Sequence, residues 1–187
     1  MLKKNNLYLL GIITLIGFPA LGFGFNYLFE GALHLELLRL NSNSWIAIVA
    51  GLLFGISFAM VAERMSEIPF ISKSTYDLTE FFKGLNLTFF DIFFLAFAAG
   101  FGEEILFRGA IQGQLGIWLT SVIFIAIHGY LNPRNIGMFV FGSYLVLFSA
   151  FMGYIFEQYG IWSSIMAHFC YDLILLYSLK KSTNQLI

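Results

Sequence analysis

Long apolar stretches alternate with short polar connections along this chain. A membrane-spanning helix needs roughly 20 mostly apolar residues, so such stretches predict transmembrane helices. Six spans are predicted: Leu7 to Phe29, Trp45 to Ala62, about Thr88 to about Gly113, about Leu115 to His128, Ile136 to Phe156 and Ile161 to Leu179. The fourth is short for a full span. The pattern predicts an all-α, polytopic membrane helical bundle of about six transmembrane helices.

The connections between the spans are short, except for residues 63–86. In that segment aromatic pairs such as Phe81-Phe82 lie among charged residues, which predicts a short interfacial helix or a loop. We predict three regions in the chain. Residues 1–87 hold the first two helices and this connection, residues 88–179 form a helical core, and residues 180–187 form a basic polar tail.

Composition supports a membrane protein. Of 187 residues, 59% are hydrophobic and 11% are charged, whereas a soluble domain carries about 25% charged residues. These values, with a net charge of −1, exclude a soluble globular domain, a disordered chain and a nucleic-acid binder with a basic face. The single cysteine, Cys170, excludes a disulfide within the chain and a multi-cysteine metal cage.

Lysine and arginine are distributed unevenly between the connections. With the N-terminus inside, eight of these residues fall on the inner side and two on the outer side, which predicts that both termini are cytoplasmic in a multi-pass protein of the cell membrane. The inner residues are Lys3, Lys4, Arg64, Lys73, Lys83, Arg134, Lys180 and Lys181, and the outer ones are Arg39 and, counted as a loop residue, Arg108.

Ionisable residues inside membrane spans are costly, at about 2.5–3.5 kcal/mol each, and usually functional. Here they concentrate in the third, fourth and sixth spans. The residues concerned are Glu103, Glu104 and Arg108, then His128 with Phe124 one turn before it, then His168 and Asp172. Each group contains an i,i+4 pair, which places its members on one helix face.

These residue types can support peptide hydrolysis. A carboxylate near a histidine can take a proton from water, and a second histidine with a hydrogen-bonding group can stabilise an oxyanion. The same residues leave a metal site open, because Glu103, His128 and His168 could bind Zn²⁺ and leave a position for water. Each motif alone also has a structural interpretation: a Glu–Arg clamp, an interfacial His128, or Asp91 as an interface residue or helix cap.

The three groups resemble the CPBP family of intramembrane proteases (CAAX protease and bacteriocin-processing, or Abi), whose relatives include the type 2 CAAX prenyl endopeptidases. The family pattern is Glu-Glu-x-x-x-Arg, then Phe-x-x-x-His, then His-x-x-x-Asn/Asp. It is matched by 103–108, 124–128 and 168–172. The resemblance covers about residues 88–176, so it implies that the 88–179 core is catalytic and that the site lies between helices three, four and six.

The resemblance also implies a role for each residue. Glu103 is expected to activate the hydrolytic water, assisted by His128, while Glu104 and Arg108 hold the first motif in shape.

His168 and Asp172 are expected to form the oxyanion side of the site, with Phe124 supporting. Family members often carry asparagine at the last position, and an aspartate donates a hydrogen bond only when protonated. We therefore interpret Asp172 as orienting His168. The resemblance favours a glutamate-type enzyme without a bound metal, with zinc as the alternative.

The predicted function is that of an intramembrane endopeptidase resembling a type 2 CAAX prenyl protease. It would hydrolyse a peptide bond of a membrane-associated or prenylated protein or peptide. Its partners are then a peptide or membrane-protein substrate and the lipid bilayer, with no nucleic acid. Two alternatives are a non-catalytic membrane immunity or scaffold protein of the same family, and a small proton-coupled transporter. The transporter is disfavoured because the sequence lacks duplicated halves.

One geometric difficulty follows from straight, full-length helices. Glu103 lies about 22 Å along a helix that begins at Thr88, whereas His128 ends the returning helix near the inner face. The expected mismatch between the two residues is roughly 10 Å or more. We expect tilt, a later helix start or a break near Gly100 and Gly102 to close it.

Overall fold

The computed structural model describes residues 4–184, and these residues are helical with no β-strand. The helices are α1 (Lys4–Ile12), α2 (Phe18–Glu30), α3 (Ser44–Ser66), α4 (Pro69–Gly84), α5 (Phe89–Leu106), α6 (Gln112–Ile127), α7 (Ile136–Tyr159) and α8 (Ile161–Asn184). The all-α prediction is confirmed. Of the predicted tail, residues 180–184 continue α8, while 185–187, like Lys3, lie outside the described residues.

Every predicted span contains a helix. Four described helical stretches are long and apolar enough to cross a membrane: Asn6–Glu30, Ser44–Ser66, Phe89–Ile127 and Ile136–Tyr159. These are the features of an integral membrane protein. The sixth predicted span, α8, is not among them, because His168, Asp172 and its terminal lysines lower its mean hydropathy.

The first stretch is one continuous helix with a wide turn in its middle. A π-helical turn, Ile13–Gly17, joins α1 to α2 without a break in direction. The helix ends at Gly31, which adopts φ 73° and donates its N–H to the Tyr27 carbonyl. Glycine takes this left-handed conformation without a steric penalty, so it is a common helix stop.

The third and fourth predicted spans form a helical hairpin within the stretch Phe89–Ile127. A second π-helical turn, Phe107–Ile111, joins α5 to α6, and the reversal occurs at Gly116, where φ is 70° and ψ is 171°. This conformation is essentially restricted to glycine. A straight helix of 39 residues would be about 58 Å long, far more than the roughly 30 Å hydrocarbon core. The predicted boundary, between Gly113 and Leu115, is therefore close to the actual turn.

The 63–86 connection contains an amphipathic helix, so the helix alternative is the correct one. Pro69 occupies the first turn of α4, a position that lacks an intrahelical N–H partner in any case. The helix packs on the start of α7, where the Asn135 side-chain amide donates to the Ser74 carbonyl at 3.1 Å. Ile71 and Thr75 form its buried face.

Small residues allow α3 and α8 to approach closely. A Cβ at Gly51 would clash with the Ser163 carbonyl, and one at Gly55 would clash with the Ala167 carbonyl. The successive pairs show that the two helices run parallel. Close packing of glycine against a neighbouring backbone is typical of membrane helices. Besides α3, the α8 helix contacts α5 and α7, so it is the central helix of the bundle.

The first helix is fixed to α5 at two heights. At mid-height, a Cβ on Gly102 would clash with the Thr14 carbonyl in the first π-helical turn. At the N-terminal end of α5, Asp91 forms a capping box with Thr88, which agrees with a cap rather than a free interface residue. The buried Asp91 carboxylate also accepts from the Tyr8 hydroxyl and lies 2.5 Å from the Lys4 ammonium.

Candidate functional site

A buried ion pair forms the structural base of the site. Arg108 Nε donates to Glu104 Oε2 at 3.0 Å, and both side chains have no solvent exposure. Arg108 also donates from Nη2 to the Ser149 hydroxyl of α7 at 2.8 Å. Arg108 lies in the second π-helical turn, so the widened backbone shapes this contact. The pair ties the α5–α6 junction to α7.

His168 lies between two carboxylates. Its Nδ1 is 2.9 Å from Glu104 Oε1, and its Nε2 is 3.5 Å from Asp172 Oδ2. The Glu104 carboxylate only accepts hydrogen bonds, so Nδ1 is the donor in the shorter contact. Glu104 is thus the nearer of the two carboxylates, and it orients the imidazole from α5. Asp172 contacts the nitrogen on the other side of the ring.

Glu103 and His128 face each other across the two limbs of the hairpin, 12 to 13 residues from its turn at Gly116. Glu103 Oε2 lies 3.7 Å from His128 Nε2. His128 Nδ1 is 2.7 Å from the Phe124 carbonyl, which can only accept, so Nδ1 carries a proton and Nε2 faces the carboxylate. The 3.7 Å separation is long for a direct hydrogen bond but lets one water contact both atoms.

The Phe124 ring packs the two histidines and the arginine together. Its centroid is 4.8 Å from that of His128, 5.8 Å from that of His168 and 5.6 Å from the Arg108 guanidinium carbon. The ring also stacks edge-on against Phe107 at 4.8 Å. Because it is buried, it fixes the spacing between helices without offering a competing polar group.

A cavity of about 420 Å³ joins these groups. Its lining includes Glu103, Phe124, His128, His168 and Asp172, whereas Glu104 and Arg108 lie behind its wall. The remaining wall is mainly apolar and comes from α1, α3, α4, α5, α7 and α8. A polar centre at the end of an apolar chamber is the usual form of a ligand site.

The structure therefore brings all of the sequence-predicted site residues together, on α5, its π-helical turn, α6 and α8. The expected mismatch between Glu103 and His128 is wrong. The turn at Gly116 lies 13 residues after Glu103 and 12 before His128, so both reach the same height on antiparallel limbs. No break occurs near Gly100 or Gly102.

Several residues of the site were not predicted from the sequence. Ser149 binds Arg108, and its only signal was a hydroxyl in the middle of an apolar span. Thr14 and Tyr130 line the cavity from the first helix and from the loop after α6. Burial raises the pKa of Tyr130 to about 12, with a contribution from Asp172, so this phenol stays neutral at physiological pH.

The alternative zinc site is not supported by the arrangement of side chains. Among residues 4–184, no three His, Cys, Asp or Glu side chains group in a way that could hold a metal ion. Glu103 and His128 are close to each other, but His168 is held by Glu104 and Asp172 instead. We therefore derive no step through a metal.

Comparison with known proteins finds a family model that matches the core. Residues 85–174 match the family model described as Type II CAAX prenyl endopeptidase Rce1-like. We refer to this segment, which is similar to that family, as the Rce1-like segment. The predicted resemblance is thereby confirmed, and the Rce1-like segment contains all of the candidate site residues.

A curated relative matches a longer part of the chain than the family model does. The chain is 28% identical over 130 residues to the uncharacterized protein YpbD of Bacillus subtilis (strain 168), which covers 65% of this chain and 65% of the relative. The chain thus spans less than two thirds of that relative's own length. No solved structure matches the chain significantly.

Proposed function

We propose that the protein is an intramembrane endopeptidase that hydrolyses a peptide bond with a water molecule activated by Glu103. The observation that carries this proposal is the pairing of Glu103 with His128 in the cavity, directly beside His168. A carboxylate and an imidazole 3.7 Å apart in a mainly apolar cavity are suited to general acid–base catalysis.

In the proposed reaction, water binds between Glu103 and His128 Nε2. Glu103 takes a proton as the water oxygen bonds to the peptide carbonyl carbon, which gives a tetrahedral oxyanion. The C–N bond then breaks, and the proton passes from Glu103 to the leaving amine. The products are one carboxyl and one amino terminus, so a single water molecule is consumed and the enzyme returns to its initial state.

In this scheme His168 stabilises the oxyanion. Its Nδ1 donates to Glu104, which leaves Nε2 directed to the cavity and to Asp172. When protonated, the ring donates from Nε2 to the developing negative charge. Glu104 and Arg108 then act as positioning residues, because they hold the imidazole without lining the cavity.

The matched family model favours CAAX-type peptides as the first substrates to examine. The test uses purified protein in lipid nanodiscs, a quenched fluorogenic farnesylated CAAX peptide and an unprenylated membrane-anchored peptide. We expect Glu103→Gln to lower kcat about 10²–10⁴-fold, because it removes a general base without changing size. We expect His168→Ala to lower kcat about 10²–10³-fold.

Glu67→Gln is the matched control, because its carboxylate is exposed and pairs with Arg64 on the surface. It should cleave like the wild type. Full activity of correctly folded Glu103→Gln and His168→Ala would overturn the proposal in favour of a non-catalytic membrane protein. Activity lost on chelation and restored by Zn²⁺, with stoichiometric bound zinc, would replace the glutamate mechanism with a metal-dependent one.

A further inference from the structure

The charges that line the cavity have one sign. Glu63, Glu103 and Asp172 line it, and no Lys or Arg does so among the described residues. Glu103 and Asp172 have histidine partners. Glu63 is different: it lies at the C-terminal end of α3, its carboxylate has no histidine partner within residues 4–184, and its role is not explained by the hydrolytic chemistry.

The parallel packing of α3 on α8 gives the position of Glu63. Gly51 lies against Ser163 to Ala167 of α8, and Gly55 lies against Ala167 to Cys170. Glu63 follows Gly55 by eight residues on a parallel helix. It therefore lies level with a point on α8 that is seven to nine residues beyond His168. That offset corresponds to roughly 10–14 Å along the helix axis. An extended peptide covers this distance in about three to four residues.

Two features of the cavity lining favour a polar ligand. Within residues 4–184, the half-buried Glu63 carboxylate has no ion pair or hydrogen bond, whereas exposed Glu67 and Glu80 each pair with a basic neighbour. Independently, Tyr171 lines the cavity with 5% exposure, and its hydroxyl has no hydrogen-bond partner in the described chain. Buried polar groups normally have partners, so both features favour a polar ligand.

We propose that Glu63 is a specificity-determining residue that binds a Lys or Arg side chain of the substrate, three to four residues from the scissile bond. The inference rests on the proposed function and adds the charge of the substrate. A carboxylate at the edge of an apolar chamber attracts a cation more strongly than in bulk water and rejects an anion. Apolar side chains of the substrate fill the rest of the chamber.

The test is a charge exchange between enzyme and peptide. A membrane-anchored peptide that the wild type cleaves is made with Lys, Gln or Glu at each of the six positions on either side of the mapped scissile bond. At a position three to four residues away, we expect the wild type to prefer Lys over Glu by about tenfold or more in kcat/KM. Glu63→Gln should reduce this ratio to near one, and Glu63→Lys should invert it.

Glu67→Lys is the control, because it makes the same charge change one turn later on an exposed carboxylate. It should keep the wild-type preference, and all variants should cleave the Gln peptide. Cleavage of that peptide with an unchanged Lys preference in Glu63→Lys would overturn the inference and leave the proposed function intact. Failure of the folded wild type to cleave any peptide would overturn both.

Discussion

At the scale of single residues, two adjacent glutamates have opposite environments. Glu103 has 13% side-chain exposure and lines the cavity, whereas Glu104 has none and pairs with Arg108 and His168. Consecutive residues of a helix point about 100° apart, so one backbone segment supplies both a group that can react and a group that holds the site. The buried Glu104–Arg108 pair is therefore expected to contribute to the free energy of unfolding.

We predict that Arg108→Met destabilises the protein by about 3–5 kcal/mol, because it leaves the Glu104 carboxylate buried without its cation. Unfolding in detergent, followed by circular dichroism, measures the change. Arg64→Met, on an exposed surface pair, is the control and should cost less than about 1 kcal/mol. The double variant Glu104→Gln/Arg108→Met should be more stable than Arg108→Met alone. Equal stability of Arg108→Met and Arg64→Met would contradict the prediction.

At the scale of elements, the hairpin of α5 and α6 sets the geometry of the site. Its two limbs meet at the ring pair of Phe107 and Phe124 and at the contact between Glu103 and His128. Both pairs are nearly symmetric about Gly116 in the sequence. The position of one turn thus determines which residues of α6 face the carboxylates of α5.

We predict that Gly116→Ala destabilises the hairpin by about 1–3 kcal/mol, because alanine is strained at φ 70° and ψ 171°. A Cβ at this position has open space around it, so the cost is conformational and not a clash. Gly24→Ala is the matched control, since Gly24 also has open space but lies within α2. That change should stabilise the helix, by up to about 1 kcal/mol.

The melting temperatures of the two alanine variants in detergent therefore move in opposite directions. We also expect Gly116→Ala to lower kcat for any cleaved peptide, because a shifted turn changes the separation of Glu103 and His128. Gly24→Ala should keep the wild-type kcat. Two melting temperatures that rise together would show that Gly116 does not require its left-handed conformation.

At the scale of the whole molecule, the cavity depends on helices from both sides of the predicted boundary at residue 87. The first helix and the end of α3 supply one part of its wall, and the Rce1-like segment supplies the rest. The attachment at Asp91 holds the first helix in place through Lys4 and Tyr8. The N-terminal helices are therefore part of the chamber and not a separate anchor.

We predict that Asp91→Ala loosens this wall, because it removes the capping-box carboxylate of α5 and the partner of both Lys4 and Tyr8. Loss of the cap alone should cost about 0.5–2 kcal/mol. Thermal unfolding in detergent gives the comparison, with Tyr8→Phe expected to show a smaller loss. Asp77→Ala, on the exposed face of α4, should leave the midpoint unchanged. An Asp91→Ala midpoint equal to that of Asp77→Ala would argue against the attachment.

The sequence by itself determined the helical membrane architecture, the approximate spans and the set of ionisable residues in them. It could do so because hydrophobic length and i,i+4 spacing are local properties that every helix expresses in its own sequence. The place of Asp91 near the start of the third span likewise predicted an interface residue or a helix cap, and its capping partner Thr88 lies only three residues away.

Only the tertiary structure decided how these residues meet. Ser149 lies 41 residues from the arginine that it binds, and Glu63 reaches the cavity only through the parallel packing of α3 on α8. The expected mismatch between Glu103 and His128 assumed that the returning helix ends near the inner face, whereas this limb ends beside Glu103. Contacts between distant segments depend on turn position and helix register, and neither is expressed in the periodicity of a single helix.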